Sequence, residues 1–251
     1  AIGNVEIIDT TQDIIISGYF GEYYEKQDIA LVTQDAVMID VYEDDSLFLH
    51  ADTLRSGFDS TGTSKVLYAY HKVRFFKGDL QGKCDSIIFS YADSTIKLFK
   101  DPVIWSKKNQ MTADFINIKR NKKGIESLDF QNNAFIVSQV DTGRYNQIKG
   151  KTMLGMFVNN NLDKIKVDGN GETIYFAQEE DSTFVGVNVA QCSNMMIYVE
   201  NNDITSITFL NMPIAILHPI DKINKSELEL KGFRWLAHIR PKGRHDIFDW
   251  R

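Results

Sequence analysis

Strict alternation of apolar with other side chains runs through most of this chain, and it restricts the fold more than any other feature. Val66, Tyr68 and Tyr70 alternate with Leu67 and Ala69; Ile87, Phe89 and Tyr91 with Ser86, Ile88 and Ser90; Val185, Val187 and Val189 with Gly186, Asn188 and Ala190. A period of two sends successive side chains to opposite faces of a sheet, and helix-period patterning is almost absent. The chain is therefore expected to be all-β, with an apolar face that must be covered and a mixed face opposite.

A longer repetition overlies the alternation. Lys83-Cys84-Asp85-Ser86-Ile87-Ile88-Phe89-Ser90-Tyr91, closed by Asp101-Pro102-Val103-Ile104-Trp105, is echoed by Gln191-Cys192-Ser193-Asn194-Met195-Met196-Ile197-Tyr198-Val199, closed by Met212-Pro213-Ile214-Ala215-Ile216. Each copy places a Cys before an apolar run, then a polar turn, a second run and a Pro, as expected of a stacked sheet scaffold rather than a single catalytic pocket. The apolar residues of the two copies are Ile87, Phe89, Ile96, Leu98, Val103 and Trp105, and Met195, Ile197, Val199, Ile207 and Phe209. Such rows either fill a core or line a groove.

Short polar punctuators, Glu43-Asp44-Asp45-Ser46, Tyr91-Ala92-Asp93-Ser94, Asp168-Gly169-Asn170-Gly171 and Glu200-Asn201-Asn202-Asp203, are expected to join neighbouring strands, with Asn170-Gly171 the clearest hairpin. Arg55 to Ser64, Lys119 to Gly124 and Asp141 to Lys151 are expected to be mobile loops. With 43% hydrophobic residues in 251, the chain can bury a substantial core, and a net charge of -6 does not suggest a nucleic-acid partner. No run approaches the length needed to cross a bilayer as a helix, and Ala1-Ile2-Gly3-Asn4 lacks the basic and apolar regions of a signal peptide, so secreted and cytosolic readings both stand.

Little catalytic chemistry is visible. The five His residues lie in no metal-ligand pattern, and Gly150-Lys151-Thr152 lacks the upstream Gly of a phosphate-binding loop. No enzyme, metal or cofactor is expected. Cys84 and Cys192 occupy matching positions and read best as small buried hydrophobes rather than a disulfide. From Asp221 on, Lys222, Lys225, Lys231, Arg234, Arg240, Lys242, Arg244 and Arg251 make a basic end that could meet phosphate groups or a partner, or simply be a solvated tail.

Several segments together resemble the OstA family of lipopolysaccharide transport proteins. They are Leu49-His50-Ala51-Asp52-Thr53-Leu54, Tyr68-Ala69-Tyr70-His71-Lys72-Val73-Arg74-Phe75-Phe76, Leu80-Gln81-Gly82-Lys83-Cys84-Asp85-Ser86-Ile87-Ile88-Phe89, Phe99-Lys100-Asp101-Pro102-Val103-Ile104-Trp105 and Met111-Thr112-Ala113-Asp114-Phe115-Ile116. The resemblance covers most of residues 1 to 220, and Gly232-Phe233-Arg234-Trp235 with Arg240-Pro241 is similar to the Bacteroidetes branch. Met153-Leu154-Gly155-Met156-Phe157 departs from the family's Ala-Asp strand.

The resemblance implies a curved antiparallel β-jellyroll, or β-taco, built from stacked repeats: residues 1–140 as a first part, 141–220 as a further unit stacked on it, and 221–251 as the basic C-terminal segment. It further implies a periplasmic module that holds lipid A acyl chains of lipopolysaccharide in an apolar trough lined by the two rows above. Its implied partners are other jellyroll proteins of the transport bridge, joined head to tail through edge strands, with self-association open to the same edges. The alternative is an extracytoplasmic β-sandwich that binds glycan or protein through exposed aromatics such as Tyr23, Tyr24, Tyr68 and Tyr70.

Overall fold

The computed structural model describes all residues except 11–12, 42–44, 122–123, 180–182, 201–202 and 251. The described strands pair antiparallel, and the helical elements among the described residues are short 3-10 turns. The chain forms two compact units: Ala1–Lys107 with Asn117–Arg120 and His238–Arg251, and Lys108–Ile116 with Asn121–Ala237.

In the first unit β1 (Ile2–Asp9), β2 (Ile14–Tyr24), β3 (Ile29–Asp40), β4 (Leu47–Phe58), β5 (Lys65–Lys77), β6 (Leu80–Ser90) and β7 (Thr95–Phe99) pair in sequence order, and β8 (Val103–Ser106) returns to pair with β6. In the second unit β9 (Asn109–Thr112) pairs with β11 (Gly124–Asp141). From β11, the strands β12 (Arg144–Val158), β13 (Asn161–Gln178), β14 (Phe184–Glu200) and β15 (Asp203–Leu210) follow in order, and β16 (Ile214–His218) returns to β14. The residues of β10 (Phe115–Asn121) are divided between the units. β8 and β16, which follow the two Pro-containing segments of the repetition, thus pair with the strands that carry Cys84 and Cys192.

The strands are long because they run through corners instead of ending at them. Alternate strands carry adjacent residues in the left-handed region: Gln34-Asp35, His71-Lys72, Lys100-Asp101, Asn132-Asn133, Gly169-Asn170 and Asn211-Met212. Where both flanking strands continue, the pairing register skips there, for example between Thr33 and Ala36 and between Gln131 and Ala134. Two residues on one strand then oppose one on its neighbour, a bulge that bends the sheet. Asp168 to Gly171 therefore does not close a hairpin: β13 continues through it, because the positive φ angles of Gly169 and Asn170 serve a mid-strand corner. Likewise Asp141 to Lys151 is not a mobile loop but a tight turn at Thr142-Gly143 leading straight into β12, and Arg55–Phe58 belongs to β4. Tyr91 to Ser94 is a turn as expected, while residues 42–44 and 201–202 of the other two expected turns lie outside the described residues.

These corners explain the Ala-Asp pattern of the resemblance. At each corner the residue on the continuous neighbouring strand is Asp52, Asp85, Lys151 or Ser193, preceded by a small buried residue: Ala51, Cys84, Gly150 or Cys192. Ala113-Asp114 stands beside the Asn132-Asn133 corner in the same way: Asn133 Nδ2 donates to Asp114 Oδ1 at 3.0 Å, and Asp114 N–H to the Asn132 carbonyl at 3.0 Å. Asp52 takes Lys72 at 3.2 Å, and Asp85 takes both His71 and Lys100 at 3.3 Å, so acidic side chains face the basic residues of the corners. In the second unit the place of Ala-Asp is thus held by Gly150-Lys151 and Cys192-Ser193, not by Met153 to Phe157. Gly150 is required there, since a Cβ would stand 2.3 Å from Val167 Cγ1.

Candidate functional site

Each corner divides its sheet into two arms, and each arm has an inner face turned toward the other. In the first unit Val32, Leu54, Ala69, Ile87 and Leu98 stand in register across one arm, and Ile16, Met38, Leu49, Phe75 and Ile104 across the other; all are buried. In the second unit Phe130, Met153, Val167, Met195 and Phe209 form a row on one arm, beside Leu128, Ile165, Ile197 and Ile207. Met111, Ile136, Ile148, Thr173 and Ala190 form the facing row. The alternation in the sequence thus becomes continuous apolar surface several strands wide.

The expected rows are divided by this geometry. Ile87, Phe89, Ile96 and Leu98 share the inner face of one arm, with Phe89 opposite Ile96 and Ile87 opposite Leu98. Val103 and Trp105 do not join them: Val103 lies opposite Lys83 and Trp105 opposite Gln81, on the outer face of the other arm, and Ile104 takes the inner position. The Lys100-Asp101 corner resets the alternation between the two sets. Met195 with Phe209, and Ile197 with Ile207, share an inner face as cross-strand pairs. Val199 follows a register skip after Tyr198 and pairs with Ile204.

At the β15 and β16 end of the second unit the arms part. Ile204, Ile207 and Phe209 of β15, with Tyr175, Ala177, Asn188 and Leu217, line an open, mainly apolar cleft of about 300 Å³. Exposed apolar side chains continue from it along the last strands: Met212 is 83% exposed, Ile214 66% and Leu217 53%. β16 pairs with β14 alone and β1 with β2 alone among the described residues, so each unit has a strand edge with unused backbone groups.

The outer faces of the second arms are covered by the C-terminal segment, which is not a solvated tail. Residues up to Ala237 pack in the second unit and His238 onward in the first. In the second unit Leu230 is buried among Phe135, Val137, Ile174, Phe176 and Val187, with Leu228, Phe233 and Trp235 packed against the same cluster. Gln147, only 1% exposed, donates from Nε2 to the Leu228 carbonyl at 2.7 Å and accepts the Leu230 N–H on Oε1 at 2.9 Å. Gln110 repeats the pattern, donating to the Arg234 carbonyl at 2.7 Å and accepting the Leu236 N–H at 2.7 Å. In the first unit Arg74 donates to the Ile239 carbonyl at 2.7 Å, Gln81 accepts from Arg240 Nε at 2.7 Å, and Phe248 lies against His50. Apolar anchors dock the segment in the second unit, and in the first unit Arg240 adds its bond to Gln81. Sequence reading missed these four polar residues, whose one signal is a Gln or Arg in a strand slot that faces apolar neighbours.

Burial sets the acid-base character of these surfaces. It pushes the Cys84 thiol well above its ordinary range, and it lowers His50, outweighing the Ala36 carbonyl 2.9 Å from Nδ1. Both cysteines are free and buried. Tyr68 and Tyr70 stand on the outer face of the first arm of the first unit, their rings parallel with centroids 5.6 Å apart and Arg55 over Tyr68.

No known protein family and no curated protein matches this sequence. Among solved structures the chain is similar to LptH, the LptA homologous periplasmic component of the conserved lipopolysaccharide transport device from Pseudomonas aeruginosa, with 10% identity and a TM-score of 0.42 over 56% of this chain and 95% of that one.

Proposed function

We propose that the chain is a periplasmic lipopolysaccharide-binding transport module that holds lipid A acyl chains between its arms and hands them along a bridge from inner to outer membrane. The observation that carries this reading is the apolar inner face that runs across the second unit and emerges at the Ile204, Ile207, Phe209 and Leu217 cleft. Acyl chains ask only for continuous apolar surface, worth roughly 0.8 kcal/mol per buried methylene, and need no catalytic group. Lipid enters at the cleft and extends along Met195 and Ile197 as the arms separate; Ile87, Phe89, Ile96 and Leu98 offer the equivalent face in the first unit. The open edges of β1 and of β15 and β16 suit head-to-tail pairing with other jellyrolls of the bridge.

Photocrosslinkers at Ile207, Phe209 and Leu217, with Lys97 and Lys166 as outer controls, test the reading in cells that make lipopolysaccharide. Capture at the cleft positions alone is expected; capture nowhere, or equally at the controls, overturns it. A second reading, a scaffold for glycan or protein, is favoured by the buried inner rows of the first unit and by the Tyr68-Tyr70 pair outside. Glycan binding lost in Tyr68→Ala, with no lipid captured, selects that reading.

A further inference from the structure

A hydroxyl without a partner lies in the apolar interior of the second unit. Thr173 is 0% exposed, and its Oγ1 makes no hydrogen bond among the described residues. An unpaired buried hydroxyl is costly, so such a group calls for an explanation. Its direction follows from the pairing of its strand. From Gly171 to Ala177, β13 runs beside β14 without a register skip, so Gly171, Thr173, Tyr175 and Ala177 point to one side. Tyr175 and Ala177 line the cleft, which makes Thr173 the next inner position behind the cleft wall.

The surroundings of the hydroxyl leave it room to be reached. Thr173 stands between Ile148 and Ala190 in register, and Ala190 pairs in turn with Ala215. Next to it along the strand is Gly171, where a Cβ would stand 2.6 Å from Met195 Cε, so the flexible end of Met195 occupies the space beside it. The two walls of the cleft also differ in chemistry. β15 offers Ile204, Ile207 and Phe209, whereas the other wall carries Tyr175 paired with Asn188 at the mouth, with Thr173 roughly 7 Å further along the strand.

We infer, resting on the lipid-binding reading above, that Thr173 selects acyl chains that carry a hydroxyl a few carbons from their head. As the arms part, the Thr173 hydroxyl pairs with that of the chain, while Tyr175 and Asn188 meet the oxygens of the head. Both hydroxyls can donate or accept, so the pair forms in either sense. A plain acyl chain fills the same space and leaves Thr173 unpaired, which is how a buried polar group discriminates between ligands.

The test is displacement of a fluorescent fatty acid from the full chain by tetradecanoate and by 3-hydroxytetradecanoate. The hydroxylated acid is expected to displace at about fivefold lower concentration, as one net hydrogen bond allows. Thr173→Val, close in shape but without the hydroxyl, should bind tetradecanoate at least as well as the parent, lose the preference, and melt no lower than the parent. Equal displacement by the two acids in the parent overturns the inference and leaves the lipid-binding reading standing; displacement by neither overturns both. A preference that survives Thr173→Val, or a variant that melts well below the parent, also overturns the inference, since the hydroxyl would then be idle or structural.

Discussion

Phe209 and Ile197 face the same way on neighbouring strands of the second unit, yet replacing them should have opposite consequences. Ile197 is fully buried, between Ile165 and Ile207 in register, so Ile197→Ala removes packed volume and should cost about 2–5 kcal/mol of folding stability. Phe209 is half-buried, and one side of its ring lines the cleft, so Phe209→Ala should cost only about 1–2 kcal/mol of folding, below the 3–5 typical of a full Phe truncation. The face it loses is the one offered to lipid. A ring that covers about two methylenes contributes roughly 1.6 kcal/mol, close to a fifteenfold loss of affinity. Urea unfolding gives the first quantity, and titration of each variant with fluorescent lipopolysaccharide the second. If Phe209→Ala binds as tightly as the parent while Ile197→Ala is destabilised as stated, lipid does not enter at this cleft and the proposed route is refuted.

Cys84 is 1% exposed with its thiol pushed upward by burial, so it should resist alkylation at pH 8 until the protein is unfolded; mass spectrometry of native and urea-treated samples shows the difference. His50 holds a proton less tightly in the folded chain than its ordinary value of 6.5, because burial disfavours the charged ring, so the unfolded chain takes up the proton first as pH falls. The stability of the neutral ring is thus complete above pH 6.5 and is lost below it, and the melting temperature of the parent should fall more between pH 7 and 5 than that of His50→Gln. Gly82→Ala should cost about 1–3 kcal/mol of folding by thermal melting, since its Cβ would stand 2.2 Å from Phe75 Cζ and 2.8 Å from the backbone oxygen of Val103, which cannot move without its strand.

The all-β antiparallel character was legible because alternation is a local signal, written within each run of five or six residues. The corners were not. Gly169-Asn170 has the chemistry of a hairpin, since both residues tolerate positive φ, and only the pairing of β13 on both sides of it shows that the chain bends and goes on. His71-Lys72 and Lys100-Asp101 give still less warning, because each pair includes a Lys, which seldom adopts that conformation. What holds them is tertiary: Lys72 on Asp52, and His71 and Lys100 together on Asp85, contacts between strands that no window along the chain contains.

The same corners decide which candidate residues share a face. Alternation carries a face forward only while the register is unbroken, so Ile87 leads correctly to Phe89, and Ile96 to Leu98, within single strands. From Leu98 to Val103 the count passes through Lys100-Asp101, and the inner face passes to Ile104. Trp105, counted from sequence as part of the inner row, instead stands opposite Gln81, which binds Arg240 of the C-terminal segment. An arm clad in this way must be apolar on both faces, one for the facing arm and one for the segment. That double burial is why Val103-Ile104-Trp105 is a continuous apolar run rather than an alternating one, and why a buried Gln in such an arm marks a contact with the segment rather than a core defect.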